Sequence, residues 1–512
     1  MTKESDTSSR VNETTTKQEV GGTDDVVRGL EKMGYHQELT RVEIQLRSLL
    51  HSFGLAAPIA TSLIAGGPAN IIWGWVLISI TSEPLAVSLA EVCSKYPTSA
   101  GAYYWCFRLG SPKHRVLLSW INGWLTMVGV WTISLSVTFG TAQILVAGIG
   151  IFHPDWEPKA WQTYLVFLAI AVFATLVGIF FNSLLPTIDL VMLVCLSVKA
   201  ASGRHSANFA LTHFDPSGSG WTPGWSFFIG LLPVRCLFLA SYTFSATGMV
   251  ASMAEEVHDP TVQLPLAMSW AIPISFIMGL LFLLPILFTL PDIATLLAVP
   301  GGQPIGVLFQ LIMGSKGGGF GMWLIIFGIG IFCAISICCA ASRATWSFSR
   351  DKAIPLHQIW SKVNRRLGDV PVYSYLLSLG IQLLLGLIFL GSTAAFNAFV
   401  GVAVMCLGAS YAMPIAISVA NGRKDMQDAP FSLGKWGFAL NVFAIIWVIF
   451  EIILFSMPAV IPVTEASMNY ASVVFVGFAA ISAMWYMING RHNYKGPPLP
   501  NDNNSQVTEF EK

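Results

Sequence analysis

The chain has 512 residues, 54% of them hydrophobic and only 11% charged, with a mean hydropathy of +0.64. Soluble domains carry about 25% charged residues, so this composition excludes an ordinary cytosolic enzyme and a disordered chain alike. Lys and Arg number 28 and so do Asp and Glu, which leaves no global basic field to attract nucleic acid.

A helix needs about 20 apolar residues to cross the hydrocarbon core. Twelve stretches meet that rule: 48–66, 69–92, 116–149, 162–181, 183–201, 225–253, 264–290, 320–342, 372–391, 394–420, 434–458 and 469–488. The expected fold is an all-α polytopic membrane protein. The N-tail 1–47 and the C-tail 489–512 are polar and expected to be disordered. With the N-terminus inside, the inner loops hold thirteen Lys and Arg and the outer loops four, so the positive-inside rule places both tails in the cytosol. The plasma membrane is the expected location. The eight cysteines form no C-x-x-C pair and no zinc spacing, and read as small buried hydrophobes. No Gly-rich phosphate loop occurs either. Neither a metal nor a cofactor is expected, and the bilayer is the surrounding solvent.

Two segments interrupt their helices. The first is Ser52 to Pro58, followed by Gly66-Gly67-Pro68 at the outer end of the first span; the second is Tyr242 to Gly248 within the sixth. Gly and Pro disfavour a helix interior by about 1 and 3 kcal/mol, and irregular backbone survives at membrane depth only where it lines a cavity. The two interrupted spans each begin a five-span half, 48–201 and 225–420, and 434–488 adds two further helices. Paired interruptions of this kind point to a midplane binding site in inverted-repeat transporters.

Several motifs resemble the fungal amino acid/choline permeases of the amino acid–polyamine–organocation superfamily, with GABA permeases the nearest in pattern. They are Gly66 to Trp75, Leu89 to Gly101 with Tyr103-Tyr104-Trp105, Glu255 to Pro260, Ser342 to Asp351, and Pro462-Val463-Thr464 with Met468-Asn469-Tyr470. The resemblance covers residues 34–490. It implies twelve helices in a 5+5 inverted repeat with two more appended, importing small amino acids or amines and usually driven by protons.

Candidate site residues follow from the interruptions. Where a helix breaks, the next segment exposes free N–H groups and a positive dipole end, to which a carboxylate docks. That role falls to the backbone of Gly54, Leu55 and Ala56, and to Ser245, Ala246 and Thr247, whose unwound carbonyls accept from an amine. The related fold often carries an aromatic gate at the position of Phe244; the alternative is packing or lipid contact. Trp120 and Trp124 share one helical face and either wall the pocket or anchor at the interface, and Ser410 and Tyr411 are further wall candidates. Glu83 and Glu451 are charges at membrane depth, hence candidate proton carriers. Glu255 and Glu256 are expected to pair with loop arginines such as Arg343 or Arg350 as an inner gate.

A choline or amine permease is the alternative within the family. An intramembrane enzyme would need a converging His/Asp/Glu constellation, which the spans do not show, and a sensor would need longer tails. Three departures from the family pattern support a third alternative, a product that does not transport. Arg47 and His51 lie in the first span's inner half, Lys199 and Arg204 shorten the fifth, and Arg235 stands at membrane depth in the sixth.

Overall fold

The computed structural model describes residues 59–180, 201–230, 244–257, 259–299, 303–367, 369–458, 460–464 and 468–498. Among them, nine helices are long and apolar enough to cross a membrane, and each overlays one of the twelve expected spans. The other three expected spans are the first, fifth and sixth. They lie wholly or partly outside the described residues, as do Gly54, Leu55, Ala56, Lys199 and Arg235. Pairing between described segments is confined to one isolated bridge, Asn364 with Val370. The architecture is therefore that of an all-α polytopic membrane protein.

The spanning helices are α1 (Ile59–Lys95), α2 (Arg115–Phe152), α3 (Ala160–Phe180), α4 (Pro260–Phe288), α5 (Lys316–Arg350), α6 (Val372–Gly386), α7 (Thr393–Ala420), α8 (Gly437–Leu454) and α9 (Ala471–Trp485). The α1 helix is two arms joined at Gly66 and Gly67. Gly67 has φ 69 and ψ −154, which a side chain would strain, and Pro68 restarts the helix where its missing N–H costs nothing. The chain therefore turns between the first and second spans at the Gly-Gly-Pro that the sequence marks.

Burial orders the bundle. The spanning part of α7 is 78% buried and that of α9 only 11%, so α7 is central and α9 faces lipid. In lipid, helices associate through close packing and hydrogen bonds rather than through exclusion of water. The central α2 shows both. A Cβ at Gly123 would stand 2.2 Å from the Phe348 ring, and one at Gly148 2.2 Å from Trp323, so the neighbouring aromatic helix rides directly on its backbone. Asn122 of α2 donates to the Ser410 carbonyl of α7 at 2.7 Å.

Two features depart from the sequence expectation. The α5 helix runs to Arg350, about two turns beyond the expected end at residue 342. No Gly or Pro interrupts 343–350, and Trp346 and Phe348 are fully buried, so packing carries the helix on. Arg343 and Arg350 are consequently helix residues rather than loop residues. The second departure concerns the sixth span, where the chain leaves its helix at Ala246 and continues as a 3-10 helix, Thr247–Glu256. Of the expected break at Tyr242 to Gly248, residues 242 and 243 lie outside the described residues, the chain turns at Ala246, and the 3-10 helix takes up Thr247 and Gly248.

The segment 201–230 caps one end of the bundle. Its backbone bonds to Ile312, Phe288 and Ala69, and Trp221 Nε1 donates to the Pro458 carbonyl at 3.1 Å.

Candidate functional site

Two small cavities lie in series at the bundle centre. The first is bounded by Ser82, Phe244, Ser245, Thr247, Tyr411 and Glu451, among others, and measures about 20 Å³. The second, also about 20 Å³, lies among Ser99, Gly101, Tyr103, Thr126, Gly248 and Ser252, and shares Tyr411 with the first. A water needs roughly 10–15 Å³ of such space, so neither cavity admits an organic molecule in this arrangement.

Phe244 is buried and stacks on Trp75 of α1, centroids 5.1 Å apart and planes at 28°. It is turned inward rather than toward lipid, and its ring also bounds the first cavity. Trp75 is anchored in turn. Its Nε1 donates to the Phe276 carbonyl at 3.1 Å, and its ring lies where a Cβ on Gly279 would be only 2.4 Å away. Ser245 and Thr247 bound the first cavity, with Ala246 buried between them at the turn. Of the carbonyls expected to be free, that of Ala246 accepts from the Met249 N–H at 2.9 Å, and the Thr247 hydroxyl donates back to the Phe244 carbonyl at 2.7 Å.

Tyr411 is 4% exposed, its ring lies where a Cβ on Gly248 would be only 2.5 Å away, and its buried hydroxyl has no partner among the described residues. It is thus the wall between the two cavities. Ser410 instead turns toward α2, 2.6 Å from the Thr126 hydroxyl. Trp124 bounds neither cavity. Thr126, Met127 and Val130 present the cavity-facing side of α2, while Trp124 meets Trp120 at a tilt, centroids 6.0 Å apart, and Phe348 edge-on at 6.3 Å. The spacing of the two tryptophans is right for a shared face, but that face looks away from the centre.

Of the two acids at membrane depth, Glu451 bounds the first cavity and is 8% exposed. Glu83 sits beside cavity-lining Ser82, and its Oε2 is buried without a partner among the described residues.

Below the second cavity, two ion pairs join the end of the 3-10 helix to the end of α5. Glu256 meets Arg343 at 2.6 Å, both side chains 2% exposed. The guanidinium also donates to the Tyr375 hydroxyl at 2.9 Å, and Tyr375 reaches the Gly178 carbonyl at 3.2 Å. Glu255 meets Arg350 at 3.1 Å and accepts from the Ser99 hydroxyl. Arg350 lies 4.4 Å over the Trp346 ring, a cation–π contact. Nearby, Tyr103 donates to Asp351 at 2.8 Å. Burial, with Asp351 adding to it, holds the Tyr103 hydroxyl well above the usual tyrosine range, so it remains a donor at any physiological pH. The supports of this lock, Ser99, Tyr103 and Tyr375, were missed by sequence reasoning. Ser99 and Tyr103 lie inside a quoted motif, but Tyr375 carries no signal beyond its position in an apolar run.

The family model described as "Amino acid permease" matches residues 44–479. The amino-acid permease BAT1 homolog of Oryza sativa subsp. japonica is 32% identical over 506 residues, covering 93% of this chain and 96% of the relative. The choline transporter of Saccharomyces cerevisiae is 28% identical over 454 residues, with coverage of 86% and 79%. The polyamine transporter TPO5 of the same yeast is 31% identical over 482 residues, with coverage of 90% and 77%. A family match over most of the chain, joined to nine membrane-spanning helices, means that this chain belongs to the amino acid permease family of the amino acid–polyamine–organocation superfamily, whose members are transporters and not enzymes.

Proposed function

We propose that the chain imports a small amino acid of the GABA type by proton-coupled alternating access, from the plasma membrane, with both termini cytosolic. The observation that carries this reading is the change from helix to 3-10 helix at Ala246, placed against a cavity that also holds Phe244, Tyr411 and Glu451. The first N–H groups of a helix lack intrahelical partners, so the start of the 3-10 segment offers a carboxylate its donors, as does the proposed break at Gly54, Leu55 and Ala56. Glu451 supplies one negative charge for one ammonium. Glu83, whose Oε2 has no partner among the described residues, takes the coupling proton. The two halves 48–201 and 225–420 rock about this centre as inverted repeats. Tyr411 then separates the centre from the cytosolic path, and the Glu255 and Glu256 ion pairs close that path.

The relatives include choline and polyamine transporters, and the cavity chemistry bears on the choice. A quaternary ammonium is held by several aromatic faces within about 6 Å, whereas among the described residues Phe244 and Tyr411 are the aromatics that bound this cavity. A polyamine carries two or more charges, and among the described residues one acid bounds the cavity. The test is uptake of radiolabelled GABA, alanine, choline and putrescine by cells expressing the full chain, at external pH 5 and pH 7.5. Saturable amino-acid uptake that rises at the lower pH is expected. Choline or putrescine uptake without amino-acid uptake overturns the substrate assignment, and no uptake of any probe with protein at the surface selects the non-transporting alternative.

A further inference from the structure

Beyond α9 the chain turns back against the bundle. It passes through a π-helix, Tyr486–Gly490, and one helical turn, Arg491–Asn493, and then lies along the ends of other elements. Trp485, the last residue of α9, donates from Nε1 to the Ala353 carbonyl just past α5 at 3.3 Å. A Cβ on Gly490 would stand 2.6 Å from the Trp120 ring of α2. One on Gly496, whose φ is +85, would stand 2.3 Å from the ring of Phe107 in the short helix Ala102–Leu109. Between these glycines Tyr494 is 3% exposed, although Asn493 and Lys495 on either side of it are exposed. Its hydroxyl lies 2.8 Å from that of buried Ser119 on α2. Its ring meets Trp120 edge-on at 5.1 Å and Phe348 of α5 at 6.2 Å. A polar tail thus inserts one side chain where α2 and α5 meet.

Phe348 connects this contact to the lock. It stands on α5 between Arg343 and Arg350, and it meets Tyr103, the donor to Asp351, edge-on at 5.1 Å. When the end of α5 parts from Glu255 and Glu256, Phe348 moves with it and leaves Tyr494. We infer that Tyr494 is a positioning residue of the cytosolic gate, which acts through Phe348 to hold the end of α5 where its two arginines reach their glutamates. The inference rests on the reading that those ion pairs close the cytosolic path.

The test uses full-length protein in nanodiscs, with Thr126→Cys in the second cavity reacted with a charged methanethiosulfonate. Tyr494→Ala should raise the reaction rate about tenfold, a factor that two ring contacts and one hydrogen bond support. Tyr494→Phe keeps the ring and should raise it by no more than about threefold. Gly496→Val pushes the tail off Phe107 while leaving Tyr494, α2 and α5 unaltered, and should match Tyr494→Ala. A lower Tm in these variants with an unchanged rate makes the tail a static brace and overturns the inference. Arg343→Met tests the underlying reading separately. If it raises the rate and the tail variants do not, the lock stands and the inference fails; if it leaves the rate unchanged, the lock reading fails and the inference with it. In Arg343→Met with Glu256→Gln, which leaves no ion pair at that position, Tyr494→Ala should lose most of its effect. A full tenfold rise there would place the action of Tyr494 elsewhere than the lock and overturn the inference.

Discussion

Replacing Arg343 by Met removes the positive half of a fully buried ion pair while keeping most of the side-chain volume. In the closed arrangement Glu256 is 2% exposed, so its charge would be left in the interior without Nε at 2.6 Å. Removing one partner of such a pair costs about 3–5 kcal/mol. That cost falls on the closed state. If the pair separates when the cytosolic side opens, Glu256 regains water there and the open state escapes the cost. At 1.4 kcal/mol per decade, even 3 kcal/mol moves the equilibrium toward the open state by roughly a hundredfold. Thr126, which bounds the second cavity, serves as the reporter. Thr126→Cys is reacted with a charged methanethiosulfonate in purified protein. The six described native cysteines are all buried, so background reaction is slow. The rate should rise up to about a hundredfold on adding Arg343→Met, and fall back toward its starting value when Glu256→Gln is added as well, since the stranded charge is then gone. A folded Arg343→Met protein with an unchanged reaction rate would refute the reasoning and make the pair a static brace.

Glu83→Gln should flatten the pH dependence of uptake at unchanged surface abundance, whereas Glu451→Gln should raise the KM for the amino acid; the opposite assignment of effects would exchange their roles. Gly279→Val places a Cβ 2.4 Å from Trp75, so overpacking should cost about 1–3 kcal/mol, read as a lower Tm, and the displaced Trp75 should disturb its stack on Phe244 and raise KM.

The nine observed spans were legible because about 20 apolar residues in a row have one stable solution in a bilayer. The turn at Gly66-Gly67 was legible for an equally local reason: φ 69 at Gly67 is a glycine conformation, and Pro68 follows. What was not legible is orientation within the bundle. Along α2 small polar side chains such as Ser119, Asn122, Thr132, Ser134, Ser136 and Thr138 are buried on every side of the helix, so hydrophobic periodicity does not distinguish the face of Trp124 from the face of Thr126 and Met127. The lock illustrates the converse. Acids ending one span and arginines beside another suggest pairing, but only packing of Trp346 and Phe348 decides that α5 continues as a helix through Arg343 and Arg350. The Phe244 stack on Trp75 spans 169 positions of chain and depends on a missing side chain at Gly279, which leaves no trace in either local sequence.

The 3-10 helix joins the cavity to the lock within one segment. Thr247, its first residue, bounds the first cavity, and Glu255 and Glu256, its last two, hold Arg350 and Arg343. Runs of 3-10 helix longer than three or four residues are uncommon, and often mark strain or a hinge; this one has ten. Such a segment rises about 2.0 Å per residue with 3.0 residues per turn, against about 1.5 Å and 3.6 for an α-helix. Relaxing ten residues to α-helix would shorten the segment by about 5 Å and turn its far end by roughly half a revolution. Neither glutamate would then face its arginine. The ion pairs therefore hold the stretched form, and in the proposed cycle a ligand acting at Ser245 and Thr247 needs to favour only one of two helical forms to work a lock about 20 Å away. Arg343→Met biases the same choice from the opposite end, which is why a reporter at Thr126, between the two, reads both.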